Sequence, residues 1–290
     1  MHTDYMTQLY QFKLIKVPLI TREFIDNAIK LNDGVYEWSF DLGLSKHKYL
    51  KEKGYIYIDD YKYDVSELKD TIKPGYIYAL LNNGRIIRLA YFKDRYFYKL
   101  YPISPFDAPT LEISGIKMHR VEGIKPWDDA RLKVNTLNIS RGENVLDVCT
   151  GLGYTAIHSM LKGARVTSIE LDINVLDIAR FNPWSHMLEK IEIILGDAFE
   201  VIRELPSGSY DAVIHDPPRF SRAGQLYSLE FYEEIYRVLK RNGRLFHYTG
   251  RVGYKHRHID IMRSVSQRLK MVGFRVRPIP KLMGVLAFKY

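Results

Sequence analysis

From about residue 111 to its end the chain alternates short apolar runs with segments of helical periodicity, and that alternation leaves few folds open. Strands are expected over 144–148, 165–170, 191–195, 210–215 and 244–248. Helices are expected over 126–137, 154–161, 174–181, 228–240 and near 199–205. Leu229, Tyr232, Ile235, Tyr236 and Leu239 recur at helical spacing, as do Ile259, Met262, Val265, Leu269 and Val272. Strand and helix repeated in this way build a mostly parallel sheet covered on both faces. Two closing strands, near 274–279 and 285–288, flank a short loop containing Gly284.

Residues 1–110 follow another rule. After a Thr21-capped helix over 22–31 come aromatic, β-branched segments at 54–58, 75–81, 85–91 and 96–100. Asn82-Asn83-Gly84 makes the middle two a hairpin. Prolines at 102, 105 and 109 mark a boundary, so 1–110 reads as an α+β accessory domain and 111–290 as a second domain. The accessory domain's aromatics read first as core and second as a base-stacking platform.

Composition narrows the setting. No apolar run approaches the roughly 18 residues that span a bilayer. The N-terminus lacks the apolar stretch of a signal peptide. A single cysteine, Cys149, excludes an internal disulfide and a cysteine metal cluster, and the reading is cytoplasmic with no metal. The net charge of +9 is uneven: residues 216–290 hold 16 basic against 5 acidic residues. A basic segment of that kind suits a polyanion such as RNA, or serves only as a solvated surface.

The chemistry-bearing residues sit where strands end. Asp147-Val-Cys-Thr-Gly-Leu-Gly153 closes the first strand and opens a helix, and Gly151 and Gly153 let the backbone turn tightly near a ligand. Those glycines also fit the dinucleotide fingerprint G-x-G-x-x-A. Asp147 argues against it, because a carboxylate is costly inside a strand buried on both faces. The strand is therefore expected to end before Asp147, in a wider loop with the acid facing a polar or cationic ligand. Glu170 ends the second strand, where an acid can hold both hydroxyls of a ribose. Asp197, in Gly196-Asp197-Ala198, follows the third and can accept from an adenine amino group. The fourth strand runs into His215-Asp216-Pro217-Pro218-Arg219-Phe220-Ser221, a loop stiffened by two prolines.

This set resembles the class I S-adenosylmethionine-dependent methyltransferases over residues 120–290. The resemblance implies a Rossmann-like, seven-stranded, mostly parallel sheet whose last strand is antiparallel. It implies that Asp147, Gly151 and Gly153 line the amino-acid end of the cofactor, that Glu170 holds its ribose and Asp197 its adenine, and that Asp216 and Pro217 face the substrate. The D-P-P-R-F-S loop is similar to that of some ribosomal-RNA base methyltransferases, although Arg219 stands where exocyclic-amino enzymes carry an aromatic residue. Cys149 lies in the cofactor loop, so the nucleophilic cysteine of the 5-methylcytosine enzymes is missing. The whole chain also looks like an archaeal group of methyltransferases recognised from sequence.

The mechanism expected from this is alignment of a nitrogen nucleophile with the S–CH3 bond by Asp216 and the Pro217 carbonyl. Phe220 would stack on a base and Arg219 would contact a carbonyl or phosphate oxygen. His215 reads first as a packing residue and second as a proton acceptor. Arg219, Arg222, Arg251, Lys255 and Arg257 emerge beyond the strand ends and form the expected RNA contacts. His119-Arg120 and Trp127-Asp128-Asp129 read either as closing over the cofactor or, for Trp127, as packing the linking helix onto the sheet, with Asp128 and Asp129 expected to favour that helix's N-terminus. A methyltransferase acting on protein or a small molecule is the alternative, followed by a non-catalytic nucleic-acid-binding module. Aminopropyl transfer is set aside because Thr150-Gly151-Leu152-Gly153 is poor in glycine and acids, and a dehydrogenase ranks last.

Overall fold

The computed structural model describes residues 8–81, 83–218, 223–250 and 260–290. The chain forms two compact units: residues 13–127 with 174–186, and the remainder. The expected boundary after residue 110 falls inside an antiparallel sheet. Tyr96–Tyr101 pairs with Ala90–Lys93 on one side and Thr110–Ile113 on the other, with Ile116–Lys117 at the edge. The three prolines interrupt a connection within that sheet.

The first unit buries an aromatic core. Helix Arg22–Lys30 turns Phe24, Ile25 and Ala28 inward, and the Phe24 ring meets Phe40 and Tyr49 edge-on at 5.2 Å each. Thr21 occupies the N-cap position, but its side chain makes no capping bond. By contrast, Asp64 caps helix Val65–Thr71 through the Ser66 and Glu67 amides. The expected hairpin forms between Tyr78–Leu80 and Ile86–Arg88. Segment 85–91 is two strands, because Leu89 bonds Ile77 in one sheet and Leu100 in the next.

The second unit is built on one sheet in the order Gln8–Tyr10, Glu192–Leu195, Arg165–Glu170, Asn144–Val148, Tyr210–His215, Leu239–Tyr248, Gly284–Phe288, Arg275–Ile279. The five central strands are parallel and Gly284–Phe288 is antiparallel, as expected. The sheet has eight strands among the described residues, because Gln8–Tyr10 adds an antiparallel edge beside Glu192–Leu195. Leu146, Val213, Phe231, Ile235, Leu245 and Leu269 fill its core. Chain order reverses direction between Asn144–Val148 and Tyr210–His215, the switch point beyond which open α/β sheets bind ligands. No helix among the described residues is long and apolar enough to cross a membrane.

Candidate active site

Asp147 corrects the sequence reading. It lies within strand Asn144–Val148 and is fully buried. What makes a carboxylate tolerable there is a pair of hydroxyls: Thr155 donates to Oδ1 at 2.6 Å and Ser168 to Oδ2 at 2.7 Å. Since the Ser168 proton is committed to Asp147, the Thr150 hydroxyl must be the donor in its 2.6 Å contact with Ser168. Burial outweighs both hydroxyls and pushes the Asp147 carboxyl up to about 7. Asp147 thus ties three segments together beneath the glycine loop.

Above it the backbone turns through Cys149, Gly151 and Gly153, all at positive φ. The two glycines are needed for different reasons. A Cβ on Gly153 would stand 2.5 Å from Leu188, whereas one on Gly151 would meet nothing within 4 Å. Open space at Gly151 is what a cradle for a ligand requires. The Gly151 amide donates to Glu170 Oε2 at 2.9 Å, and the Asp172 amide to Oε1 at 3.0 Å. Each carboxylate oxygen has two acceptor positions, so acceptor capacity remains beyond these two amides. Burial, opposed by the Gly151 and Asp172 amides, pushes the Glu170 carboxyl up to about 7.

Asp197 caps helix Ala198–Glu204 by accepting from the Phe199 amide at 2.9 Å. The Gln225 amide reaches across to both of its oxygens, at 3.1 and 2.8 Å. No sequence signal pointed to Gln225. Asp216 follows the fourth strand and is held by Lys133, whose ammonium lies 2.7 Å from Oδ2. Lys133 also pairs with Asp129 at 3.0 Å and sits 4.0 Å over the Tyr248 ring. Burial alone would discharge this lysine, but Asp216 and Asp129 outweigh it and hold its proton more firmly than usual. Asp129 is therefore a buried ion-pair partner, not a mere N-terminal charge. Its i,i+4 spacing to Lys133 was the available signal.

His215 proves to be a packing residue. It is fully buried, its Nε2 faces the Leu226 carbonyl at 2.9 Å, and its ring lies tilted against that of His247 with centroids 4.3 Å apart. Burial drives it down to about 4, so it is neutral near pH 7. The Pro218 carbonyl accepts from Tyr227 at 3.0 Å, which braces the loop beyond Asp216. Trp127 packs on Trp184 at 5.1 Å. Arg219, Phe220, Arg222, Arg251, Lys255 and Arg257 lie outside the described residues.

The sheet order thus sets Asp197, Glu170, the 149–153 loop and Asp216 on consecutive strand ends. Among the described residues, no group of three or more His, Cys, Asp and Glu could hold a metal. A separate cavity of about 590 Å³ within the first unit contains none of these groups. It is lined in part by Asp41, Ser45 and His47. There the Ser45 hydroxyl donates to Asp41, so His47 Nε2 must be the donor to Ser45 at 2.7 Å. That is a loop brace; a general base would need the opposite proton.

Fold and strand-end residues together define an enzyme of the S-adenosylmethionine-methyltransferase-like α/β class. More narrowly, the chain belongs to the spermine/spermidine synthase domain family, whose model matches residues 136–288. It is 47% identical over 234 residues to the uncharacterized protein MJ1233 of Methanocaldococcus jannaschii, covering 79% of each. A protein of the same organism provisionally named as a ribosomal RNA large subunit methyltransferase, MJ1649, is 35% identical over 88 residues, which is 29% of this chain and 23% of that protein. A spermidine synthase in complex with the transition state analogue AdoDATO superposes with a TM-score of 0.56 at 19% identity, covering 72% of this chain and 76% of the other. That last likeness is one of fold.

Proposed function

We propose that the chain transfers the methyl group of S-adenosylmethionine to a nitrogen of an RNA base. The observation that carries methyl transfer is the make-up of the turn at the first strand's end. Cys149–Gly153 contains no acidic side chain, Asp147 beneath it is fully buried against Thr155 and Ser168, and Glu170 is engaged by the Gly151 amide. Decarboxylated S-adenosylmethionine has a purely cationic tail, which calls for an acid there. S-adenosylmethionine carries its own carboxylate and does not.

Its sulfonium supplies the activated methyl group when bound. Glu170 holds the ribose hydroxyls with its remaining acceptor positions, Asp197 accepts from the adenine amino group, and Gly151 leaves room for the tail. Asp216, whose Oδ2 is paired with Lys133, presents acceptor oxygens and so suits an N–H nucleophile. The Pro217 carbonyl accepts alongside it, and alignment is the main task left to the protein. Arg219 and Phe220 complete the substrate side of this reading, with Arg222, Arg251, Lys255 and Arg257 meeting the RNA backbone. Support for RNA comes from the basic last quarter of the chain and from the name carried by the MJ1649 relative.

Family membership favours one second reading, aminopropyl transfer to an amine. Calorimetry with S-adenosylhomocysteine, with decarboxylated S-adenosylmethionine and with NAD separates the cofactors. Radiolabelled methyl transfer to total RNA, to protein extract and to polyamines then separates the acceptors. Tight binding of the decarboxylated compound alone would overturn methyl transfer, and label in protein but not RNA would overturn the base.

A further inference from the structure

Phe24, Phe40, Tyr49 and Tyr78 belong to the first unit's core, but one strip of side chains running across two of its antiparallel sheets is arranged otherwise. Five side chains there alternate cation and ring. Arg88 lies 4.9 Å over Tyr76, Lys99 lies 4.0 Å from Tyr76 and 4.6 Å from Tyr101, and Lys117 lies 4.1 Å over Tyr101. Register puts Lys99, Glu112 and Lys117 on the same face. Phe97, two residues before Lys99, extends that face, and Phe92 pairs opposite Phe97. Phe92 is 69% exposed.

A purely structural ladder would hide its apolar members. Here a cation, Lys99, is buried, and a phenyl ring, Phe92, is exposed. Three cations face one carboxylate, Glu112, which stands 3.9 Å from Lys99. The strip is therefore positive, and Arg88 lies exposed on it. A partner must supply negative charge and flat apolar faces in alternation, which is the make-up of a nucleic acid strand. An exposed ring on a flat sheet can stack only on an unpaired base, which excludes a duplex. Successive same-face positions along a strand are roughly 6.7 Å apart, a spacing an extended single strand can follow.

We propose that this face binds single-stranded RNA, with Phe92 stacking on a base and Arg88 and Lys117 meeting flanking phosphates. The proposal deepens the RNA reading above and rests on it for the choice of RNA as the polyanion. Full-length protein is titrated with a fluorescent oligouridine at salt concentrations between about 50 and 200 mM. Phe92→Ala should weaken binding by about 5- to 100-fold, while Phe92→Tyr retains it. Arg88→Ala with Lys117→Ala should lower the slope of log affinity against log salt by about 1.4.

Three results would overturn the proposal: wild-type protein that does not bind the oligomer, variants that bind it as wild type does, or duplex RNA bound more tightly. S-adenosylhomocysteine calorimetry on the same samples judges the cofactor reading separately. Its failure would leave the oligonucleotide result standing, and its persistence in each variant shows the second unit intact.

Discussion

The residue on which the strand-end loops depend is Lys133. It is a buried ammonium with carboxylates at 3.0 and 2.7 Å, and removing it takes the shared cation from both acids. Breaking a buried pair from one side typically costs 3–5 kcal/mol, so Lys133→Met should lower stability in urea by about that much. Glu170 supports a second prediction, from its carboxyl at about 7. Ribose hydroxyls donate to the ionised form, so binding S-adenosylhomocysteine should release a proton near pH 7. Affinity should rise as pH climbs through about 7 and level off above it. Calorimetry at pH 6, 7 and 8 in buffers of different ionisation heat measures both; a flat profile would remove Glu170 from the cofactor. Without ligand the sign reverses. Asp147 and Glu170 bind protons more tightly folded than unfolded, so their stabilising contribution is complete below pH 4 and lost on rising to about 7.

At the scale of elements, the glycine turn separates geometry from contact. Gly153→Ala meets both a positive φ of 79° and Leu188, whereas Gly151→Ala meets only the φ of 56°. The left-handed conformation costs roughly 1–2 kcal/mol per residue, so Gly151→Ala should lose about that much in urea. Gly153→Ala should lose more. Equal losses would mean that Leu188 swings aside freely. The parallel strands were legible because strands buried on both faces read as largely apolar runs, and Arg165–Glu170 and Tyr210–His215 begin and end as expected. What escaped was settled by distant partners. Asp147 stays in its strand because Thr155 and Ser168 arrive from 8 and 21 positions away. Helix Leu229–Val238 stops two residues early because Leu239 pairs with Tyr210, and the strand runs on through Lys240-Arg-Asn-Gly, which has no strand signature. Gln8–Tyr10 is too short to show any period.

On the scale of the whole molecule, two sets of positive charge bear on the proposed polyanion. One is the strip around Arg88 and Lys117; the other is Arg251, Lys255 and Arg257, where net charge concentrates in the sequence. The family domain, 136–288, takes in only the second. If one RNA strand is held by both, the number of phosphates neutralised is a sum over the two. Each phosphate contact on a single strand contributes about 0.7 to the salt slope. Replacing Arg251, Lys255 and Arg257 with alanine should then lower the slope by about 2, and adding Arg88→Ala and Lys117→Ala should bring the fall to about 3.5. Both sets should weaken all sequences alike, because phosphate contacts carry no base information. Additivity is the informative outcome. A combined variant no weaker in slope than the triple would mean that the strip and the basic segment never hold the same strand, and that the accessory unit serves another ligand than the catalytic one.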